Sequence, residues 1–204
     1  MVSQTTEFPH WLQWGVAARA LEAQSGDDSL VQAFAEGILL AVVDGLGHGA
    51  EARVAAQTAV ATLAEHVGEP LVALVQRCHE NLRCTRGAVL SLARLDPRVE
   101  TLTWLGVGDV DGVLLRSYGW TNREALIPRG GVVGYQLPPL RVAEVPLWVG
   151  DTLILSTDGI RSDYAETVSC GDPPQQIADR ILAERRRGSD DALVLVARYL
   201  GCAP

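Results

Sequence analysis

The apolar run Ile38-Leu39-Leu40-Ala41-Val42-Val43 ends on Asp44-Gly45-Leu46-Gly47-His48-Gly49, and an alanine-rich stretch follows. Six consecutive apolar residues bounded by turn signals read as a buried strand. That strand delivers a carboxylate to the edge of a sheet. The glycines behind it tolerate positive φ and add no side-chain bulk, so main-chain atoms there can approach a ligand or a neighbouring element closely. Two further acidic clusters share this context. Ser156-Thr157-Asp158-Gly159 follows the apolar Leu153-Ile154-Leu155, and Ser189-Asp190-Asp191 precedes the apolar residues 192–199. Carboxylates delivered repeatedly to strand ends predict a carboxylate metal centre assembled from distant parts of one sheet.

Composition bounds what such a centre can serve. The chain has 204 residues, 48% hydrophobic and 21% charged, with a net charge of −8, and this is ordinary globular composition for a single domain over 1–204. A sequence pI near 5.0 argues against a phosphate-backbone binder, which needs a basic stripe. The one basic cluster, Arg185-Arg186-Arg187, sits where a late helix is expected to end, and cations there suit the helix dipole. Cys78, Cys84, Cys170 and Cys202 form no CxxC pair and lack zinc-site spacing, so they are expected to be reduced, mostly buried thiols. The N-terminal residues lack the basic and apolar regions of a secretory leader, and no apolar run reaches the ~18 residues of a membrane span. A soluble, cytoplasmic protein is the expectation.

Periodicity predicts strands over 11–18, 30–34 and 38–43, with these neighbours antiparallel because their connections are too short for a crossover helix. Helices are expected over 50–66 and 70–82, the second carrying Leu71, Leu74, Val75, Cys78 and Leu82 on one stripe. Strands follow over 88–95, 99–105, 112–116, 141–145 and 152–156. Asp172-Pro173 is expected to cap a helix over 174–187, and a strand over 192–199 closes the chain. The turn-rich stretch 118–139 reads as a flexible or substrate-facing loop. This order lacks βαβ alternation and predicts an α+β fold, an antiparallel β-sandwich flanked by helices in α-β-β-α layers.

Carboxylate and carbonyl oxygens suit Mg²⁺ and Mn²⁺. Two such ions ~3.5–4 Å apart can activate a bridging water and clamp a phosphoryl group for in-line attack. Asp44 is the candidate bridging ligand, and the Gly45 carbonyl can reach one ion through a water. Asp158 and Asp190 close the site from the other side. Asp27, in the Ser25-Gly26-Asp27-Asp28 turn, is a further candidate. Any one Asp-Gly pair is ordinarily only a turn, and Asp190-Asp191 alone reads as a solvated turn; the argument rests on the clusters occurring together and in order. A phosphate- or nucleotide-binding loop at a helix N-terminus is the weaker reading, since Gly45 to Gly49 lacks the Lys-Ser/Thr of a P-loop and the GxGxxG spacing. A non-catalytic partner-binding module is the other alternative, and three retained Asp clusters count against it.

With Ser25-Gly26-Asp27, Asp44-Gly45-Leu46-Gly47-His48-Gly49, Gly106-Val107-Gly108-Asp109, Ser156-Thr157-Asp158-Gly159 and Asp190-Asp191 in this order, the chain resembles the PPM-type metal-dependent serine/threonine phosphatases, and within them the SpoIIE-like bacterial branch. The resemblance spans roughly residues 11 to 200. It implies a centre of two Mn²⁺ or Mg²⁺ ions and hydrolysis of phosphoserine or phosphothreonine by a metal-activated hydroxide, without a phosphoenzyme. It makes Asp44, Asp158 and Asp190 the catalytic metal ligands, with Gly45 and Asp27, and places Asp109 near the metals. Leu46 stands where the eukaryotic branch has a His that serves as general acid, so His48 is assigned a structural hydrogen bond. Arg19 is the nearest counterpart of that branch's phosphate-gripping Arg, and Ser162 before Asp163 gives no support for a third metal. With few residues outside the predicted strands at either end, the chain is expected to be a free-standing catalytic domain, similar to the stressosome feedback phosphatases. The resemblance therefore implies phosphorylated STAS-domain proteins of a stressosome as substrate partners, and neither nucleic acid nor membrane.

Overall fold

The computed structural model describes residues 9–118, 123–168 and 171–202. In chain order the elements are β1 (Leu12–Arg19), β2 (Asp27–Phe34), β3 (Gly37–Gly45), α1 (Ala50–Glu65), α2 (Leu71–Asn81), β4 (Ala88–Asp96), β5 (Thr101–Val107), β6 (Asp111–Leu115), β7 (Arg123–Leu126), β8 (Ala143–Pro146), β9 (Thr152–Ser156), a 3₁₀ turn (Ser162–Thr167), α3 (Pro174–Arg185) and β10 (Ala192–Tyr199). They form two five-stranded antiparallel sheets, ordered β1-β10-β9-β6-β7 and β2-β3-β4-β5-β8.

The alternation of strand side chains divides the core into three layers. On β3, Ile38, Leu40 and Val42 point between the sheets, while Leu39, Ala41 and Val43 point at α1 and α2. On β10, Leu193, Leu195 and Ala197 enter the same inter-sheet layer, and Ala192, Val194 and Val196 meet α3. Both strands are covered on both faces, which is why their sequences are continuous apolar runs rather than alternating ones. The outcome is the α-β-β-α sandwich expected from the element order. No helix among the described residues is long and apolar enough to cross a membrane.

α1 lies close on its sheet because its inner face is Ala52, Ala55, Ala56 and Ala59. The closest point is Gly45, where a Cβ would overlap the backbone carbonyl of Ala52. Only hydrogen fits there, so the glycine after Asp44 is fixed by packing.

Several expectations need correction. β1 does not pair with β2. It pairs with β10 along its whole length, Leu12 opposite Tyr199 through Arg19 opposite Ala192, because residues 20–26 carry the chain from one sheet to the other. A short connection excludes a parallel crossover within a sheet, but it does not exclude a change of sheet. Asp172 does not cap α3. Pro173 occupies the N-cap with no side-chain acceptor, and Asp172 instead pairs with Arg180 at 2.8 Å. The cysteines are not mostly buried: Cys78 is buried, Cys84 and Cys202 are exposed, and Cys170 lies outside the described residues. The stretch 118–139 is more ordered than its composition implied. It contains β7, and Val133 is buried and exchanges both backbone hydrogen bonds with Ala88 at 2.9 Å. Residues 119–122 lie outside the described residues.

Gly45→Ala should lower stability by about 1–3 kcal/mol, the usual cost of overpacking, as read from the urea midpoint. Gly68→Ala, where an added Cβ meets nothing within 4 Å, should leave the midpoint unchanged.

Candidate metal centre

Asp27 opens β2 and Asp44 nearly closes β3, and the two face each other directly in the antiparallel register. They belong to one sheet. Asp158 follows β9 and Asp190 precedes β10, which are neighbours in the other sheet. The expectation of a centre within one sheet is therefore wrong: the acidic clusters come from both sheets and meet at one end of the sandwich. Asp44, Asp109, Asp158 and Asp190 line one pocket of about 440 Å³, together with Leu46, Gly47, Val89, Gly108 and the segment Gly130, Gly131, Val132.

Thr157 joins the two halves. Its hydroxyl donates to Asp27 Oδ2 at 2.7 Å and accepts the Leu193 N–H at 2.9 Å, while its own N–H donates to the Leu193 carbonyl at 3.1 Å. Asp191 makes a second join. It is buried, and its carboxylate accepts the Leu21 N–H at 2.7 Å and the Gly26 N–H at 2.6 Å. The Gly26 carbonyl in turn accepts the Gly45 N–H at 3.0 Å. The two adjacent carboxylates therefore differ in use: Asp191 ties the turn before β2 to the start of β10, and Asp190 faces the pocket.

The electrostatics are those of carboxylates gathered from both sheets. Burial pushes Asp44 up to about 9, helped by the charges of Asp27, Asp158, Asp109 and Asp190. Burial likewise raises Asp27 to about 7, against the lowering effect of the Thr157 hydrogen bond. Asp158 is raised by burial and by Asp109 and Asp190, with Arg187 acting in the opposite direction. The Asp44 carboxylate has no hydrogen-bond or ion-pair partner among the described residues.

Oxygen donors, mutual repulsion and an unpartnered half-buried carboxylate together fit hard divalent cations. Among the described residues no three such side chains close around a single point.

The remaining candidates lie apart from these carboxylates. His48 Nδ1 lies 2.8 Å from Glu22 at the exposed mouth, in keeping with a structural contact. Arg19 lines a different surface depression, with Asp179 and Arg186 beside α3, so it is not brought to the carboxylates. Thr157 and Asp191 were present in the motifs but carried no assigned role, since a hydroxyl or second carboxylate beside a candidate ligand has no separate signature in sequence. The contribution of Gly130 to Val132 was visible only as turn-rich composition.

The family model for stage II sporulation protein E (SpoIIE) matches residues 35–200. The chain is 21% identical over 174 residues to the phosphoserine phosphatase RsbX of Bacillus subtilis, covering 85% of this chain and 86% of that protein. Among solved structures, a chain from work on the bacterial stressosome, described as a modular system adapted to control secondary messenger signaling, is 33% identical with a TM-score of 0.83; the match covers 92% of this chain and 99% of that one. RsbX in complex with magnesium superposes with a TM-score of 0.84 at 20% identity, over 95% and 98% of the two chains.

The raised carboxylates give a signed pH dependence. A carboxylate raised in the folded state holds its proton longer than in the unfolded chain. Its native form is therefore favoured least once both states are ionised. Without divalent cations, stability should fall as pH rises from about 4 through the values near 7 and 9. Asp44→Asn should flatten this decline and exceed the wild type by about 1–3 kcal/mol at pH 9 in chelator. Added Mn²⁺ should reverse the order by stabilising only the wild type. Thermal melts across pH, with and without metal, read both effects.

Proposed function

The chain belongs to the SpoIIE family, and on that premise we propose that it is a metal-dependent protein-serine/threonine phosphatase acting in the cytoplasm, with residues 1–204 forming one catalytic domain. The observation that carries this reading is the unpartnered Asp44 carboxylate, faced by Asp27 in one sheet and sharing a pocket with Asp158 and Asp190 from the other.

In this reading Asp44, Asp158 and Asp190 hold two Mn²⁺ or Mg²⁺ ions, with Asp27 and the Gly45 carbonyl completing the set. Such ions, when bound, activate water and neutralise charge on the phosphoryl group. The chain's own residues supply geometry. The Asp27–Thr157 hydrogen bond sets the spacing of the two carboxylate pairs. Asp191 anchors the turn that carries Asp27, and the packing of Gly45 on α1 fixes the main chain beside Asp44. Leu46 and Val132 give the pocket apolar walls that limit the water reaching the phosphoryl group. Asp109 stands at the rim, and His48, held by Glu22 outside the pocket lining, takes no part in proton transfer.

The preferred substrates are phosphorylated STAS-domain proteins of a stressosome, which makes the enzyme a negative regulator of stress signalling. Support comes from the likeness to RsbX and to a chain from stressosome work.

Phosphate release from a serine-phosphorylated STAS-domain protein should require Mn²⁺ or Mg²⁺ and stop with chelator. It should fall at least about 100-fold in Asp44→Asn or Asp158→Asn, with circular dichroism unchanged. Turnover of p-nitrophenyl phosphate alone would keep the mechanism and discard the substrate. Activity surviving both substitutions would remove the mechanism, and silence on both substrates would favour a partner-binding module.

A further inference from the structure

Beside the acidic pocket lies a second depression, of about 400 Å³, lined by Ala50, Glu51, Val54, Cys84, Thr85 and Arg86. It forms between the start of α1 and the loop joining α2 to β4. The two hollows share a wall. Gly47 lines the acidic pocket, and Arg86 Nη1 sits 2.7 Å from where a Cβ on Gly47 would stand. Gly47 has φ 86, a left-handed backbone that disfavours any side chain, and a Cβ there would also push the guanidinium aside.

Arg86 is held there by Glu51, with Nε–Oε2 at 2.5 Å. Both partners are more than half exposed, and such an exposed pair contributes little to stability. Its consequence is positional. One edge of the guanidinium is engaged, and the two terminal nitrogens have no partner among the described residues. The neighbouring surface is apolar where solvent would favour polarity. Val54 is 55% exposed on a helix whose Ala52, Ala55, Ala56, Ala59 and Leu63 are buried, and Cys84 is exposed.

The geometry points to this depression as the docking groove for the polypeptide of the phosphoprotein substrate immediately beside its phosphorylated residue. An apolar substrate side chain lies against Ala50, Val54 and Cys84, and the free edge of Arg86 donates to main-chain carbonyl oxygens where the substrate crosses from groove to pocket. The inference rests on the phosphatase reading above. Given that reading, a phosphoryl group in the pocket is attached to a chain that must leave over one rim. The Asp158–Asp190 rim presents carboxylates to an anionic substrate. The Gly130–Val132 rim is tied to β4 through Val133. The Arg86 rim combines a cation held by Glu51 with the exposed apolar surface of Val54 and its neighbours Ala50 and Cys84.

Val54→Asp and Arg86→Ala in the full chain test this against a serine-phosphorylated STAS-domain protein and p-nitrophenyl phosphate. KM for the protein should rise about tenfold, while kcat and aryl phosphate hydrolysis stay within about twofold. Arg86→Lys should recover only part of the loss, lacking the planar fork. Unchanged KM for the protein in both variants overturns the proposal, as does an equal loss on both substrates. A second readout needs no turnover: excess phosphoprotein should slow alkylation of Cys84 by iodoacetamide and leave exposed Cys202 unaffected, and undiminished Cys84 labelling overturns the groove. A wild-type protein that hydrolyses neither substrate brings down the phosphatase reading instead, and Cys84 protection then decides the groove by itself.

Discussion

The hydrogen bond between Thr157 and Asp27 is the side-chain join on which the alignment of the candidate centre turns, with Asp191 as its second tie. Thr157 Oγ and Asp27 Oδ2, 130 positions apart in the chain, meet at 2.7 Å across the gap between the two sheets. Apolar packing brings the sheets face to face but does not by itself dictate how their ends align, since contacts between Leu and Val side chains are non-directional. A buried hydroxyl–carboxylate bond is directional and costly to leave unmade. Leu193 ties the same hydroxyl into β10, so the position of Asp27 is set by the strand that begins just after Asp190. Asp44 then follows from the β2–β3 register. The spacing of the carboxylates thus depends on main-chain ladders joined through Thr157 and, at the turn before β2, through Asp191.

That arrangement opposes local stability. Carboxylates that raise one another's proton affinity are held in a place where each would bind more weakly charged neighbours by choice. The fold supplies no cation among the described side chains for Asp44 and only the opposing effect of Arg187 at Asp158. Sites that keep such strain are characteristically functional, because the unfavourable interaction becomes affinity once a ligand relieves it.

Much of this was legible in the chain. β3 and β10 were readable because both faces of each are covered, and a continuous apolar run records that fact. The carboxylates were readable because acidic clusters sit repeatedly at strand ends, with Asp44 and Asp158 each followed by glycine. β7 was not readable: Arg123–Leu126 is a short edge strand with two charged residues, and its pairing with β6 is determined by tertiary contacts rather than by alternation. The partner of β1 was invisible for a related reason. Local sequence limits connection type, but the choice between β2 and β10 is made by which sheet needs closing. The roles of Thr157 and Asp191 were hidden because both depend on donors and acceptors from elements far away in sequence.

The distribution of glycines follows from the same division between local and distant demands. Gly45 is required by the carbonyl of Ala52 on α1, and Gly47 by its own left-handed backbone and by the guanidinium of Arg86. Both lie in one hexapeptide, yet one answers to the core and the other to the rim of the pocket. A motif that looks like a single signal in sequence is two constraints in space. The first keeps α1 close enough to seat Asp44 at the sheet edge. The second leaves a cation standing at the boundary between the acidic pocket and its neighbour. Substitution at Gly45 therefore acts first on folding, whereas substitution at Gly47 strains its left-handed backbone and moves Arg86, so it acts on what crosses that boundary; the two glycines thus separate the stability of the centre from the access to it.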